Sequence, residues 1–163
     1  MTIEYILKSP TQFLDTERKD FEYLLNKQGQ IDKVEGKLER CHIVCLVKLN
    51  GSSIGIGALK QVYKSPFKYA GVTELQNIYN YEIGYLLVDN ESIGKDYGSL
   101  GIGKYITRLL LNQVIGENVF ATTENNKENR MLYILKSFGF KVSGSPYQGR
   151  TTKKNIVLMT LDR

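Results

Sequence analysis

The chain has 163 residues, enough for one domain with a buried core that needs no disulfide or metal to hold it. Hydrophobic residues make up 42% and charged residues 24%, as in ordinary soluble domains, and no window reaches the roughly 18 apolar residues of a membrane span. The formal charge of +5 favours anionic partners without naming one.

The N-terminal "MTIEYILKSPTQ" has an acid where a signal peptide would be basic, and it lacks a long apolar core. A cytoplasmic protein is expected, with no membrane partner. "TIEYILK" alternates weakly and reads as a first strand. From Pro10 to about Lys27, apolar residues at Phe13, Leu14, Phe21, Leu24 and Leu25 follow helical spacing, in one helix or two short ones. Gly29 and Gly36 bracket a polar loop. "CHIVCLVKL" and "SSIGIGALKQVY" form two strands around Asn50-Gly51, a tight-hairpin signal. Cys41 and Cys45 lie in the first of them. Four strand residues span about 13 Å, beyond the roughly 7 Å between Cα atoms that a disulfide allows. Two buried thiols are expected, and no metal, since the only histidine nearby is His42.

"KSPFKYAGVTELQNIYN" is irregular and aromatic, and Tyr63, Phe67 and Tyr69 either wall a pocket or cover the sheet. "YEIGYLLVD" is almost continuously apolar, the pattern of a central strand covered on both faces. After a glycine-broken turn, a helix carries Ile102, Ile106, Leu109 and Leu110 on one side. "NVFATT" is another strand. "NKENRMLYILKSFG" is a helix closed by Gly139. "FKVSG" and "NIVLMTLD" end the chain as strands around a basic loop, "SPYQGRTTKKN". Between Lys127 and Lys154 there are seven Lys and Arg residues against the single acid Glu128, either a solvated face or a seat for a phosphate-bearing ligand. The order of elements predicts an α+β domain with a mixed sheet.

The turn "GSLGIGK" invites a ligand on physical grounds. A helix start leaves about four backbone N–H groups without partners, its dipole is positive there, and glycines let a ligand approach without a Cβ in the way. The combination suits a phosphate or pyrophosphate. A P-loop fits poorly. Gly98 to Lys104 satisfies G-x-x-x-x-G-K, but Tyr105 stands where Ser or Thr must bind magnesium. A dinucleotide fingerprint fails too: Ile106 replaces its third glycine, and "GIGALK" sits in a hairpin strand.

The whole neighbourhood, "YEIGYLLVDNESIGKDYGSLGIGKYITRLLL", resembles the central motif of the GNAT acyltransferase superfamily, a strand followed by Arg/Gln-x-x-Gly-x-Gly/Ala opening a helix. Its second half here is "LGIG", Leu100 to Gly103. The resemblance continues through "FATTENNKENRMLYILKSFGF", the family's next strand and an Asn-led helix ending in Gly-Phe, here Gly139-Phe140. The chain departs from the pattern at Gly98 (usually Arg or Gln), at Ser99 (usually Gly) and at Leu135 (usually Tyr). Asn125, Asn126 and Asn129 all stand near the family's asparagine.

The resemblance implies one GNAT-like domain over residues 1–163. Its central, mostly antiparallel twisted sheet would be splayed at the acyl-CoA site and flanked by helices. It implies an acetyl-CoA-dependent N-acetyltransferase without metal. The acceptor would be a primary amine on a small molecule or peptide; a nucleic-acid acceptor is disfavoured. Backbone donors of Leu100, Gly101, Ile102, Gly103 and Lys104, with Gly98, Ser99 and Asn129 beside them, would hold the cofactor's phosphates. Its thioester arm would lie along Tyr85, Leu86, Leu87 and Val88, and Lys95 and Lys104 flank the turn.

An ammonium must lose a proton before it attacks, so a base is required. Glu82, on a strand expected to be covered, is the candidate, with burial raising its pKa; otherwise it sits at an exposed strand start paired with a lysine. Gly84 inside a strand suggests a bulge, which would free the Leu86 N–H to stabilise an oxyanion. Val88 would pair its backbone with the pantetheine arm. With Leu135 in the usual tyrosine position the acid for the leaving thiolate is open. Tyr133, roughly 200° round the helix from it, should face elsewhere, and Tyr147 is the other hydroxyl. Two rival readings remain: a non-catalytic acyl-CoA-binding sensor and an acetyltransferase directed at aminoacyl-tRNA. Exposed late strands leave a homodimer open.

Overall fold

Asn50 and Gly51 take φ of 50° and 86°, the two positive values that a primed hairpin turn demands. They join β2 (Cys41–Leu49) to β3 (Ser52–Lys60), with Leu49 opposite Ser52, as the sequence predicts. Around this hairpin the computed structural model, which describes residues 1–93 and 100–163, builds a single sheet. β1 (Ile3–Lys8) pairs antiparallel with β2, and β4 (Tyr81–Val88) pairs antiparallel with β3. β5 (Val119–Glu124), β6 (Lys141–Gln148) and β7 (Asn155–Leu161) complete the order β1-β2-β3-β4-β5-β7-β6. Only β4 and β5 run parallel, so the sheet is mixed and mostly antiparallel.

The first helical region is broken, because Phe13 and Leu14 take extended conformations. A 3-10 turn at Pro10–Gln12 precedes α1 (Asp15–Gln28). Short α2 (Ser65–Tyr69) lies inside the aromatic segment read as irregular, with Pro66 in its first turn, where no N–H is needed. α3 (Asn90–Ile93) and α4 (Ile102–Asn112) follow β4. α5 (Arg130–Ser137) starts later than its apolar spacing suggests, because the Asn129 side chain caps it by accepting from Met131 N at 3.0 Å. It ends as predicted. Gly139 has φ 93°, Gly139 N donates to Lys136 O, and Phe140 N donates to Leu135 O, the paired bonds of a Schellman close.

α1 buries Phe21, Leu24 and Leu25 on one face of the sheet, against Val44, Leu46, Ile56 and Ala58. α4 buries Ile106 and Leu110 on the other, against Cys45, Val47, Ile54 and Leu59. Coverage on both faces explains why β2 and β3 are apolar almost throughout. A Cβ added to Gly57 would lie 2.5 Å from Ile106 Cγ2, so "GIGALK" serves close packing of α4 on the strand rather than a ligand. Cys41 and Cys45 are free and buried. They fall in opposite core clusters because an irregularity between Cys41 and Ile43 shifts the alternation. Burial pushes both thiols up to about 12.

Two elements differ from expectation. β6 runs past "FKVSG" to Gln148, so Tyr147 stands on a strand and the basic loop shrinks to residues 149–154. β4 is covered on both faces only at its start. Glu82 and Ile83 are buried, whereas Gly84 to Val88 are half-buried. The cause is β5, which pairs with β4 at Tyr81↔Val119 and Glu82↔Phe120 and then diverges to pair with β7.

Candidate active site

The divergence of β4 and β5 leaves an unpaired strand edge in the middle of the sheet. Across β3 and β4, Ala58 pairs with Gly84 and Ile56 with Leu87, so Tyr85 and Leu86 together oppose the single Gly57. This is a β-bulge. The expected bulge falls one residue after Gly84, on Tyr85, whose φ is 55°. Gly84 instead gives clearance: a Cβ there would lie 2.5 Å from Lys60 Cδ.

Antiparallel strands turn alternate residues' N–H and C=O toward a given partner. Asp89 N donates to Ile54 O on β3 at 2.7 Å. By that alternation Leu87 shares the direction, and the Leu86 carbonyl and the backbone groups of Val88 turn toward the open edge. Gln28, the last residue of α1, meets one of them there, donating from Nε2 to Leu86 O at 2.8 Å. Leu87 packs its side chain into the core cluster under α1 and also borders the adjoining cleft.

That cleft, of about 450 Å³, brings together most of the predicted cofactor residues. Leu86, Leu87 and Val88 form one wall, Leu100 to Lys104 a second, and Asn129, Arg130, Met131, Tyr133 and Ile134 at the start of α5 a third. Gly101 caps α4 with φ 66°, a left-handed value that favours glycine. The first intrahelical bond is Tyr105 N to Gly101 O, so the N–H groups of Ile102, Gly103 and Lys104 precede the helical ladder. A Cβ on Gly103 would lie 3.0 Å from Ile134 Cδ1, so glycine lets α4 and α5 approach here. Gly98, Ser99 and Lys95 lie outside the described residues. The Asn129 amide is already engaged: Oδ1 accepts from Met131 N, and Nδ2 donates to Thr123 Oγ1 and Glu124 O. Asn129 thus fixes α5 to the end of β5 and reaches the cleft as part of its wall.

On the other side of the split lies a second cleft of about 270 Å³, lined by Glu82, Gly84 and Tyr85 of β4, Thr122 to Glu124 of β5, and Tyr147. Glu82 combines features of both expected placements. It is 2% exposed, and it pairs with a lysine, Lys60 Nζ to Oε1 at 2.9 Å. Lys60 also stands 4.7 Å over the Tyr85 ring, a cation–π contact that burial strengthens. Glu82 Oε2 has no partner among the described residues.

The hydroxyls sort differently from expectation. Leu135 is fully buried in the α4 core cluster and reaches neither cleft. Tyr133 faces away from it, and that direction puts Tyr133 in the wall of the first cleft. Tyr147 lines the second. Burial, then the nearby Glu82 charge, then Tyr69 push its phenol up to about 12, so it holds its proton at neutral pH. The aromatic segment divides its duties. Phe67 is buried against Tyr79 and Phe120, Tyr69 lines the second cleft, and Tyr63 accepts from Arg40 outside both.

Sequence reasoning missed Lys60, Gln28 and Tyr133. Lys60 needed the β3–β4 register, Lys60↔Glu82. An ion pair between an exposed lysine and a buried carboxylate lies behind the site. Lys27 donates to both oxygens of Asp89, at 2.9 and 2.8 Å, tying α1 to the residue that follows β4. Burial alone would raise the Asp89 carboxyl, but hydrogen bonds from Lys27 and Ser92 outweigh it and hold the group below its ordinary value. Among the described residues no group of three or more His, Cys, Asp or Glu side chains could hold a metal ion. No described helix is long and apolar enough to cross a membrane.

The chain matches no protein-family model and no curated protein. Its fold matches solved structures over essentially their whole length. It is similar to an acyl-CoA N-acyltransferase from Pseudomonas aeruginosa, with TM-score 0.68, 10% identity, and 98% of this chain and 99% of that one covered. It is similar to an N-acetyltransferase from Staphylococcus aureus Mu50, with TM-score 0.66, 15% identity, and coverage of 99% and 98%. It is similar to Arabidopsis thaliana Naa50 in complex with the bisubstrate analogue CoA-Ac-MVNAL, with TM-score 0.68, 13% identity, and coverage of 98% and 99%. The mixed seven-stranded sheet, split between β4 and β5 with a helix opening beside the split, is the fold of the GNAT acyltransferase superfamily.

Proposed function

We propose that this protein is an acyl-CoA-dependent N-acyltransferase, with acetyl-CoA as donor and a primary amine on a small molecule or peptide as acceptor. The observation that carries the reading is the pair of clefts meeting at one break in the sheet. One has an apolar strand wall and a helix N-terminus, the other a buried carboxylate. The first suits a long thioester ending in phosphates. The N–H groups of Ile102, Gly103 and Lys104 would take the pyrophosphate, and the outward-turned backbone of Val88 would take the amide-bearing arm. The Naa50 structure, which holds a bisubstrate analogue containing CoA, supports this choice of donor by fold likeness.

In this reading the acceptor enters by the second cleft. Its ammonium gives a proton to Glu82, directly or through water, and the freed lone pair attacks the thioester carbonyl. The Leu86 N–H, in the bulge beside the open edge, would steady the oxyanion. The nitrogen then gives up its second proton to water, the C–S bond breaks, and the thiolate takes a proton from Tyr133, Tyr147 or water. Lys60 would hold Glu82 by one oxygen and leave the other for the acceptor.

Thermal melting with acetyl-CoA, CoA and ATP tests the donor site. Stabilisation by the two thio-nucleotides and not by ATP is expected; stabilisation by ATP alone would sink the reading. Release of free CoA thiol on adding primary amines tests the transfer itself.

A further inference from the structure

Among the described residues, the buried side-chain polar atoms without a hydrogen-bond partner are Gln28 Oε1 and Glu82 Oε2. Both are acceptors, and both residues line the second cleft. The orientation of Gln28 follows from chemistry. Leu86 O can only accept, so the Gln28 atom 2.8 Å from it must be the donor Nε2, and the carbonyl Oε1 must point the other way. The Leu86 bond thus fixes one end of the amide and leaves its other end unsatisfied. Leaving a buried acceptor empty is costly, so native chains rarely keep one without a use. Two acceptors of this kind at one cleft ask for a ligand that brings two donors.

We infer that Gln28 selects the acceptor: the preferred substrate is a primary amine bearing a second hydrogen-bond donor, a hydroxyl or amino group a few bonds away. The reacting amine meets Glu82 Oε2, and the second donor meets Gln28 Oε1. This rests on the acyltransferase reading for its chemistry, but the binding itself does not need acyl-CoA. The rest of the cleft agrees with a polar guest. Thr122, Thr123, Thr151 and Thr152 line it, with Tyr69 and Tyr147, whose rings are 5.6 Å apart, on one side. The Leu86 bond also links choice of acceptor to the strand edge, because Leu86 lines the first cleft while Gln28 lines the second.

The probes are 3-aminopropan-1-ol and butan-1-amine, which match in length and differ in the second donor. Each is titrated into nitrogen-15-labelled protein without acyl-CoA, and the Gln28 side-chain amide cross-peak is followed by NMR. The amino alcohol should bind about tenfold tighter or better and move that cross-peak, since a site built around a hydrogen bond rejects the analogue lacking it. In Gln28→Met the two affinities should converge to within about twofold. Equal affinities in the wild type, a cross-peak that neither probe moves, or a preference that survives Gln28→Met would each overturn the inference; the first two need no variant. Acetyl transfer to both amines is assayed separately. An amino alcohol that binds through Gln28 but is never acetylated removes the acyltransferase reading and leaves the binding site. Equal acetylation of both amines with equal binding removes the selection and leaves the enzyme.

Discussion

The β2–β3 hairpin and the β4–β5 pair are neighbours in one sheet, and they are built to opposite ends. β2 and β3 pair from Cys41↔Lys60 to Leu49↔Ser52 and are roofed by α1 and α4. β4 and β5 pair at only two positions, one of them at the buried Glu82, and beyond them stands a bulge with a positive-φ tyrosine; among the described residues Glu82 Oε2 and Gln28 Oε1 have no partner. Among the described residues the hairpin holds no buried side-chain polar atom without a partner. The split leaves groups unsatisfied, which costs stability in the free protein and creates places for a ligand. Changes in the first region should therefore be read in stability, and changes in the second in binding and turnover.

Glu82→Gln should separate the two regions most sharply. The amide keeps the shape and cannot take the ammonium proton. Acetyl transfer should fall by about 10²–10⁴-fold, while acetyl-CoA still raises the melting temperature. Unchanged turnover in a thiol-release assay would remove Glu82 as the base. In the closed region, Phe21→Ala should do the reverse. Phe21 is fully buried between α1 and the sheet. Its loss should cost about 3–5 kcal/mol in denaturant unfolding, and the protein that remains folded should keep its KM for acetyl-CoA.

Much of this contrast was legible in the sequence, and the reasons are local. Asn50-Gly51 between alternating segments named the hairpin, and the glycines before Ile102 named the α4 start. What escaped was set by register and distant packing. Lys60 meets Glu82 across two strands, and nothing near Glu82 in the chain announces it. Gln28 sits in a polar helix end, and its meaning comes from Leu86, 58 residues later. Leu135 reads as a lost catalytic tyrosine, but in the fold it is core, and the tyrosine that reaches the cleft is Tyr133. β6 outran its apolar segment because its pairing with β7 resumes at Tyr147↔Ile156 after an irregularity.

Two depressed carboxylates tie α1 to the sheet, Glu17 through Lys8 of β1 and Asp89 after β4 through Lys27, and acid should part them. Glu17 is buried, yet the Lys8 ammonium and the Leu14 N–H overcome the effect of burial and hold it below its ordinary value of 4.5; Asp89 is likewise held below 3.8. A carboxyl depressed in the folded state binds its proton more tightly when the chain unfolds. Its stabilising contribution is present above the unfolded value and is lost as pH falls through the folded one. Melting temperature should therefore decline as pH drops below about 4.5. Asp89→Asn should lower it near pH 7 by about 2–6 °C and flatten that acid decline. A decline as steep as the wild type's would show that Asp89 contributes nothing to it.

The smallest effect should come from Gly101→Ala, and it tests how the split holds its ligand. At φ 66° an alanine costs about 1–2 kcal/mol. Among the described residues other than its chain neighbours no atom lies within 4 Å of the Cβ it would add, so the cost counted here is one of conformation. If the turn keeps its shape, stability falls by that amount and CoA binding is nearly unchanged. If the alanine instead relaxes to negative φ, the N–H groups of Ile102 to Lys104 turn with it, and the melting shift given by CoA shrinks while stability recovers. Measuring both on the same sample distinguishes a helix end held by the fold from one held by its glycine. A variant that lost neither stability nor CoA binding would mean that the left-handed cap takes no part in either.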